Sequence, residues 1–266
     1  MGFVDQARLN ALQDRLTSPA DVHAALQEHP DLSFEALLSL LAHRTRQHVK
    51  KQKSAARRNH GRNTPDLVSA FESGKSLAVI AQDERLPLSE LIRLMIPGLV
   101  DRQILLSRPG RQEPKLKDLL IDPHLIKEQW REIILAAIDV DGLCSPASDE
   151  SARLIGLEYE HTLLRKLSAH GVPFRTEEQL RLLGTYKTPD VELQIPIEVN
   201  GRVVNWIDSK AMFGDRASHS EHQKQFRSYV NRLGAGMVIY WFGYADSLPP
   251  DADVTVVDTF PTSLRL

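Results

Sequence analysis

The sequence predicts an α/β fold in which a helical N-terminal region precedes a half built from alternating strands and helices. Three observations carry this. Apolar residues recur at helical spacing behind capping residues through about residue 140. Val191–Val199 and Arg202–Lys210 are strand-like runs joined by Asn200-Gly201, a strong short-range hairpin signal. Met237–Phe242 is almost continuously apolar, as a strand covered on both faces would be. The expected boundaries are 1–106 for a helical region, 107–150 for a helical connector and 151–266 for the mixed half.

Ser18, Pro19 and Asp21 supply a cap, a first-turn proline and a third-position carboxylate for one helix. Ser33 caps a second, which carries Leu37, Leu38, Leu40 and Leu41. Further on, Leu77, Ile80 and Ala81 precede a turn at Leu86-Pro87, and Ser89 opens a helix with Leu91, Ile92, Met95 and Ile96. Both pairs have helix-turn-helix spacing. Aligning Ser33 with Ser89 pairs Val22 with Ala78, Ala25 with Ala81 and Leu32 with Leu88, a weak internal repeat. Ser107–Lys117, holding Pro109, Gly110 and Pro114, reads as a connector. Asp122-Pro123 opens a helical stretch with Trp130, Ile133, Ile134 and Ile138, and Asp139–Asp149 reads as a loop. A helix from about Ser151 to His170 stops at Gly171, with Leu157, Leu163, Leu164 and Leu167 as its apolar stripe. Val172–Phe174 is a short strand, and Thr176 with Gln179 caps the helix after it. His219 and His222 precede a helix with Phe226, Tyr229, Val230 and Leu233, and Val254–Val257 forms the last strand.

Composition narrows the function classes. With 33 basic against 35 acidic residues the whole chain exerts no pull on a polyanion, so basic surface must be local. The single cysteine, Cys144, excludes an internal disulfide framework and a cysteine zinc cluster, and suits a reducing compartment. Asp5, Arg8 and Asp14 interrupt the N-terminal apolar positions, which argues against a signal peptide or anchor. The expectation is a soluble intracellular protein with no membrane contact, cytoplasmic, and nuclear if its source is eukaryotic. His43–Arg62 holds Arg44, Arg46, Lys50, Lys51, Lys53, Arg57, Arg58 and Arg62 without one acidic residue. Such a run is either a solvated helix face or localisation signal, or a set of phosphate contacts. Beside two helix-turn-helix-like pairs the second reading comes first, which makes Arg44, Lys50, Lys51, Lys53, Arg57 and Arg58 nucleic-acid-binding candidates, with no sequence-reading role.

The chemistry concentrates later. Asp190, Asp208 and Lys210 lie in or beside the hairpin, and Glu160 falls inside the apolar stripe of its helix, an odd place for a carboxylate. A regular two-residue hairpin sets Val199 opposite Arg202 and Asp190 opposite Ala211, which puts Asp190 on the face away from Asp208 and Lys210. Pro196 cannot sit in an unbroken ladder, and one bulged residue near Ile195-Pro196 would set Asp190 opposite Lys210. All three side chains would then share a face. With Glu160 approaching from a packed helix, the carboxylates suit a hard divalent ion such as Mg²⁺, and Lys210 suits a developing phosphate charge. The competing reading is a solvated salt-bridge cluster. His219 and His222 lack a third ligand at a recognisable spacing and read as surface or phosphate-contact residues, and Gln225 has a substrate-side role.

These motifs carry a resemblance. Gly156-x-x-x-Glu160, Pro189-Asp190 and Asp208-Ser209-Lys210, followed by a helix with Gln225, are similar to the PD-(D/E)xK nuclease superfamily. Lys187-Thr188-Pro189-Asp190, Trp206-Ile207-Asp208-Ser209-Lys210-Ala211, Phe213-Gly214-Asp215 and Gln225-Phe226 more closely resemble the codanin-interacting nucleases, or TPD-motif proteins. The likeness continues through Ser228-Tyr229, Asn231-Arg232, Gly234 and Val238-Ile239-Tyr240-Trp241, dense from Gly156 to Gly243. It implies a restriction-endonuclease-like α-β-β-β-α-β core behind a helical region with helix-turn-helix-like units. It also implies a nuclease dependent on Mg²⁺ or Mn²⁺, with DNA ahead of RNA as substrate and, in animals, a codanin-like partner. Asp190, Asp208 and Lys210 carry over directly and Glu160 with Glu158 as neighbour, so that Glu160, Asp190 and Asp208 would hold metal. Position 208 is Asp where a member of the family has Glu, a shorter arm that bears on metal geometry. The rival function is a catalytically silent nuclease fold that binds nucleic acid or a protein.

Overall fold

Among the described residues, helices dominate the chain up to residue 169, and the strands of the sheet come only after it. The computed structural model describes residues 4–59, 65–84, 86–107 and 114–265. In chain order the helices are α1 (Gln6–Arg15), α2 (Pro19–Glu28), α3 (Phe34–Asn59), α4 (Pro65–Glu72), α5 (Leu77–Glu84), α6 (Leu88–Asp101), α7 (Leu116–Ile121), α8 (Glu128–Val140), α9 (Pro146–Ala169), α10 (Glu177–Leu182) and α11 (Arg216–Leu233). The strands are β1 (Phe174–Thr176), β2 (Val191–Val199), β3 (Arg202–Lys210), β4 (Gly236–Tyr240) and β5 (Val254–Val257). Among the described residues no helix is long and apolar enough to cross a membrane.

The chain divides into two compact units, Arg44–Ala152 and a second made of Met1–His43 with Arg153–Leu266. The helices α1 and α2, and α3 as far as His43, therefore belong with the sheet, although the sequence pattern groups them with the helices that follow. In the Arg44–Ala152 unit, Leu91, Ile92, Met95 and Ile96 of α6 pack with Trp130 and Ile134 of α8 in a core drawn mainly from helices. The helical stretch expected from Asp122 begins instead as a 3₁₀ turn, Pro123–Leu125, and re-forms as α8. On α3, Lys50 and Lys51 are exposed and Arg44 is half-buried and engaged. The side chains of Lys53, Arg57 and Arg58 lie outside the described residues, as does Arg62.

In the other unit the local rules act as the sequence suggests. Ser33 Oγ accepts the Ala36 amide at 3.1 Å and opens α3. The Asp21 carboxylate gathers the Thr17 and Ser18 amides at 2.9 and 2.7 Å ahead of α2, and hydrogen bonds from Thr17 and Ser18 hold its pKa down to about 2. Thr176 and Gln179 exchange bonds across the first turn of α10. Gly171, at φ +67°, ends α9 in the left-handed conformation that glycine adopts without strain.

The five strands lie in the order β1-β2-β3-β4-β5. Pairing is antiparallel from β1 to β3 and parallel from β3 to β5, with α11 as the crossover between β3 and β4. One face packs Val191, Leu193, Val204, Ile207 and Ile239 against Leu163 and Leu167 of α9. The other packs Trp206, Val238 and Tyr240 against Phe226 and Tyr229 of α11. Leu157, expected on the buried stripe of α9, is exposed instead. All five residues of β4 are buried, as a strand covered on both faces requires. Gly236 sits so close to the Trp206 indole that a Cβ would come within 2.1 Å of it.

The hairpin between β2 and β3 breaks where the proline forecasts, but by more than one residue. Val199 pairs with Arg202 and Ile197 with Val204, whereas Glu192 pairs with Trp206 and Val191 with Ile207. Residues 193–196 of β2 therefore span the place of Asn205 alone. Carried one step further, this register sets Asp190 opposite Asp208, not opposite Lys210 as a one-residue bulge requires. The shared face survives the correction.

Candidate active site

Asp208 and Lys210 reach their positions by strand alternation on β3, one pleat beyond Trp206. Asp208 is 1% exposed, and its Oδ1 accepts the Lys210 ammonium at 2.9 Å. Its Oδ2 is buried without a hydrogen-bond partner among the described residues. Asp190 enters from the loop ahead of β2. Its Oδ2 accepts the Ser209 amide at 2.6 Å, and its side chain lies within hydrogen-bonding reach of Asp208. Three hydrogen bonds, to Glu177 and Tyr229, fasten the loop. The Glu177 amide donates to Asp190 O at 3.0 Å, Thr188 Oγ1 donates to Glu177 Oε1 at 3.1 Å, and the Tyr229 hydroxyl donates to Thr188 O at 2.8 Å.

Two carboxylates side by side in a buried place cannot both stay ionised cheaply. Burial first, and then the charge of Asp208, push the Asp190 pKa well above the carboxylate range. Glu160, half-buried on α9, is also raised, by burial and then by Glu177, with Lys210 opposing. Burial works against the Lys210 charge, but Asp208, Asp190 and Glu160 outweigh it and hold the ammonium above its ordinary value. Lys210 is thus kept as a cation, which suits an electrostatic role and not that of a base.

The arrangement brings Asp190, Asp208 and Lys210 into one hydrogen-bonded group, with Glu160 acting on Asp208 and Lys210 through space. Among the described residues no three His, Cys, Asp or Glu side chains stand together as a ready metal-binding set. The donor set still suits a hard cation. Asp208 Oδ2 is a buried carboxyl oxygen with no hydrogen-bond partner among the described residues, and a second buried carboxyl, Asp190, stands beside it. Gln225 donates from Nε2 to the Tyr229 hydroxyl at 2.6 Å, the same hydroxyl that holds Thr188 O.

The histidines differ from their sequence reading. Asp215 caps α11 by accepting the Ser218 amide at 2.7 Å, so His219 and His222 lie inside the helix and not ahead of it. His219 is buried against the Tyr240 hydroxyl at 3.1 Å and is core, not surface. His222 is half-buried, and burial and then the nearby Lys210 lower its pKa. Glu177 was hidden in the sequence because an acid in a first helical turn is ordinary, and Ser209 because it acts through its backbone amide.

The model of a family described as "Protein of unknown function TPD sequence-motif" matches residues 126–260. A protein of Xenopus tropicalis named "CDAN1-interacting nuclease 1" is 34% identical over 252 residues, covering 90% of this chain and 80% of its own. The Homo sapiens protein of that name is 31% identical over 251 residues, with 90% and 87% covered, and that of Danio rerio 40% over 178, with 65% and 58% covered. No solved structure matches. With a shared motif and collinear relatives over most of its length, the chain belongs to the TPD-motif family, whose curated members are named CDAN1-interacting nucleases.

Proposed function

We propose that this protein is a divalent-metal-dependent nuclease of the PD-(D/E)xK type, hydrolysing phosphodiester bonds in DNA or RNA on a restriction-endonuclease-like core. The observation that carries the reading is the union of Asp190, Asp208 and Lys210 around a buried, unpartnered carboxylate oxygen. A purely structural ion pair satisfies its buried oxygens, whereas Asp208 Oδ2 has no partner among the described residues. The names of the relatives support a nuclease.

Asp190 and Asp208, with Glu160 closing in, would hold Mg²⁺ or Mn²⁺. That ion would offset the charge of the scissile phosphate and make a bound water more acidic. The protein's own residues do the rest. The Ser209 amide fixes Asp190, Asp208 holds Lys210 by its ammonium, and Lys210 meets the negative charge that builds on the phosphate during attack. The basic run of α3, with Arg44, Lys50 and Lys51, is proposed to hold the nucleic-acid backbone. A codanin-like protein is the proposed partner, by analogy with the relatives' names.

The test is cleavage of labelled single-stranded, duplex and branched substrates with Mg²⁺ or Mn²⁺ by wild type and Asp208→Ala. Metal-dependent cutting by wild type that falls at least 100-fold in the variant supports the reading. Equal cutting by both, or none by wild type with either metal, sinks it in favour of a silent adaptor.

A further inference from the structure

A cleft of about 790 Å³ opens beside the loop that leads into Asp190, a volume in the range of small-ligand sites. One wall is the 184–188 loop and the other is α11 at Glu221, Lys224, Gln225 and Tyr229. It adjoins the catalytic group, because the loop runs on into Asp190 and because Tyr229 holds the carbonyl of Thr188. Its chemistry differs from that of the carboxylate group. Tyr186 stands 82% exposed at the rim, and the Lys187 ammonium lies 5.9 Å from its ring centroid. Lys224 lines the opposite wall, and neither lysine is paired with a carboxylate among the described residues. Arg181 is neutralised by Glu177 at 2.7 Å, and Glu221 approaches His43 at 3.8 Å.

An aromatic this exposed is commonly mobile, yet the backbone that carries it is pinned. The Arg232 guanidinium donates to the carbonyls of Tyr186 and Lys187 at 2.7 and 2.9 Å, and the Tyr229 hydroxyl grips the next carbonyl. Lys187 is held at φ +55°, a left-handed conformation that a lysine keeps only under such restraint. Three consecutive carbonyls are thus tied to one helix, which holds in place the backbone from which the exposed ring and the ammonium over one of its faces project. A free ring face stacks on any base, and a lysine that swings off the other face can meet the neighbouring phosphate.

We propose that this cleft is a single-strand subsite, in which a base of the nucleic acid adjoining the scissile phosphate stacks on Tyr186 while Lys187 and Lys224 contact flanking phosphates. It deepens the nuclease reading and rests on it for the identity of the ligand. The substrate class that follows is a single strand, or a duplex with an unpaired end or flap, because a paired base cannot offer its face.

Fluorescence anisotropy with the full chain in EDTA, using 5′-fluorescein-labelled (dT)20 and a blunt duplex of equal length, tests the subsite without cleavage. Tyr186→Ala should weaken (dT)20 binding at least fivefold and duplex binding less than twofold, with Tyr186→Phe within twofold of wild type. Lys187→Asn with Lys224→Gln should flatten the slope of log affinity against log salt by about 0.7 for each lysine. Unchanged binding by Tyr186→Ala, equal losses by Ala and Phe, or equal losses on both probes would overturn the subsite and hand the exposed Tyr186 to a protein partner. Because the assay is metal-free, its failure leaves the nuclease reading standing. A wild type that binds in this pattern and cuts nothing would retain the subsite and lose the nuclease.

Discussion

At the scale of single residues, the candidate site works against the stability of the fold. A carboxyl whose pKa is raised in the folded state favours folding less as pH rises past its unfolded value, because the folded protein resists ionising it. Asp190 is in that position, next to a second buried carboxylate. Asp190→Asn keeps an acceptor for the Ser209 amide and removes the repulsion. It should therefore leave stability at pH 7 unchanged or raise it by about 1 kcal/mol while abolishing cleavage. Urea denaturation read beside activity decides the matter, and a loss above about 1 kcal/mol would mark Asp190 as a structural ion-pair member. Much of this group was legible in the residues: Asp190, Asp208 and Lys210 stand in recognisable order around an Asn-Gly turn, and Glu160 stood out as a carboxylate among leucines. The supports were not legible, because Ser209 and Glu177 act through amides that every residue type possesses, and the reach of Tyr229 to Thr188 joins positions that no local pattern connects.

At the scale of elements, caps and turns followed their local chemistry, and errors arose where tertiary contact decided. The start of α11 is one case. Asp215 caps the helix while also accepting from Gln13 Nε2 at 3.0 Å and meeting His43 Nδ1 at 3.2 Å, two groups that lie far back in the chain. Burial works to raise the Asp215 pKa, but His43 and the Ser218 amide prevail and lower it. A depressed carboxyl contributes stability above its unfolded pKa of about 3.9, and loses it as pH falls through the lower folded value. The first 43 residues should hence loosen from the sheet as pH falls below about 4. Asp215→Ala should cost about 2 kcal/mol at pH 7 and shrink that acid-dependent part. Denaturation of wild type and variant across this range checks it, and parallel stability curves would show that Asp215 contributes no such linkage.

At the scale of the whole molecule, the α/β class followed from period changes along the chain, whereas the full order of the strands in the sheet and the division into units did not. Periodicity reports which face of an element is apolar and not which other element covers it. Leu9 and Leu12 of α1 are as buried as any core residue, yet nothing around them names the sheet-bearing unit to which they belong. The three-residue slip in the hairpin is similar in kind. Pro196 announces an interruption, but nothing local to it states the length, which appears only in the pairing of β2 with β1 and β3.

That slip also governs how one copy of the chain meets another. Beyond residue 194 the strand β2 has left β1 behind, so its outer side is an open margin with Ile195 half-exposed at 51%. A flat margin of unsatisfied amides and carbonyls would recruit a strand from a neighbouring molecule. Pro196 has no amide to offer, the bulge interrupts the ladder, and Arg265 exchanges backbone bonds with Glu198 at 2.9 and 3.3 Å. Straightening and uncovering this margin, by Pro196→Val in a chain ending at Thr262, should convert a dispersed protein into one that self-associates within hours at tens of micromolar. Static light scattering would register the change, and a variant that stays monodisperse would show that the margin needs no guard. The irregularity that sets the carboxylates face to face would then serve a second end, keeping crowded copies of the protein apart.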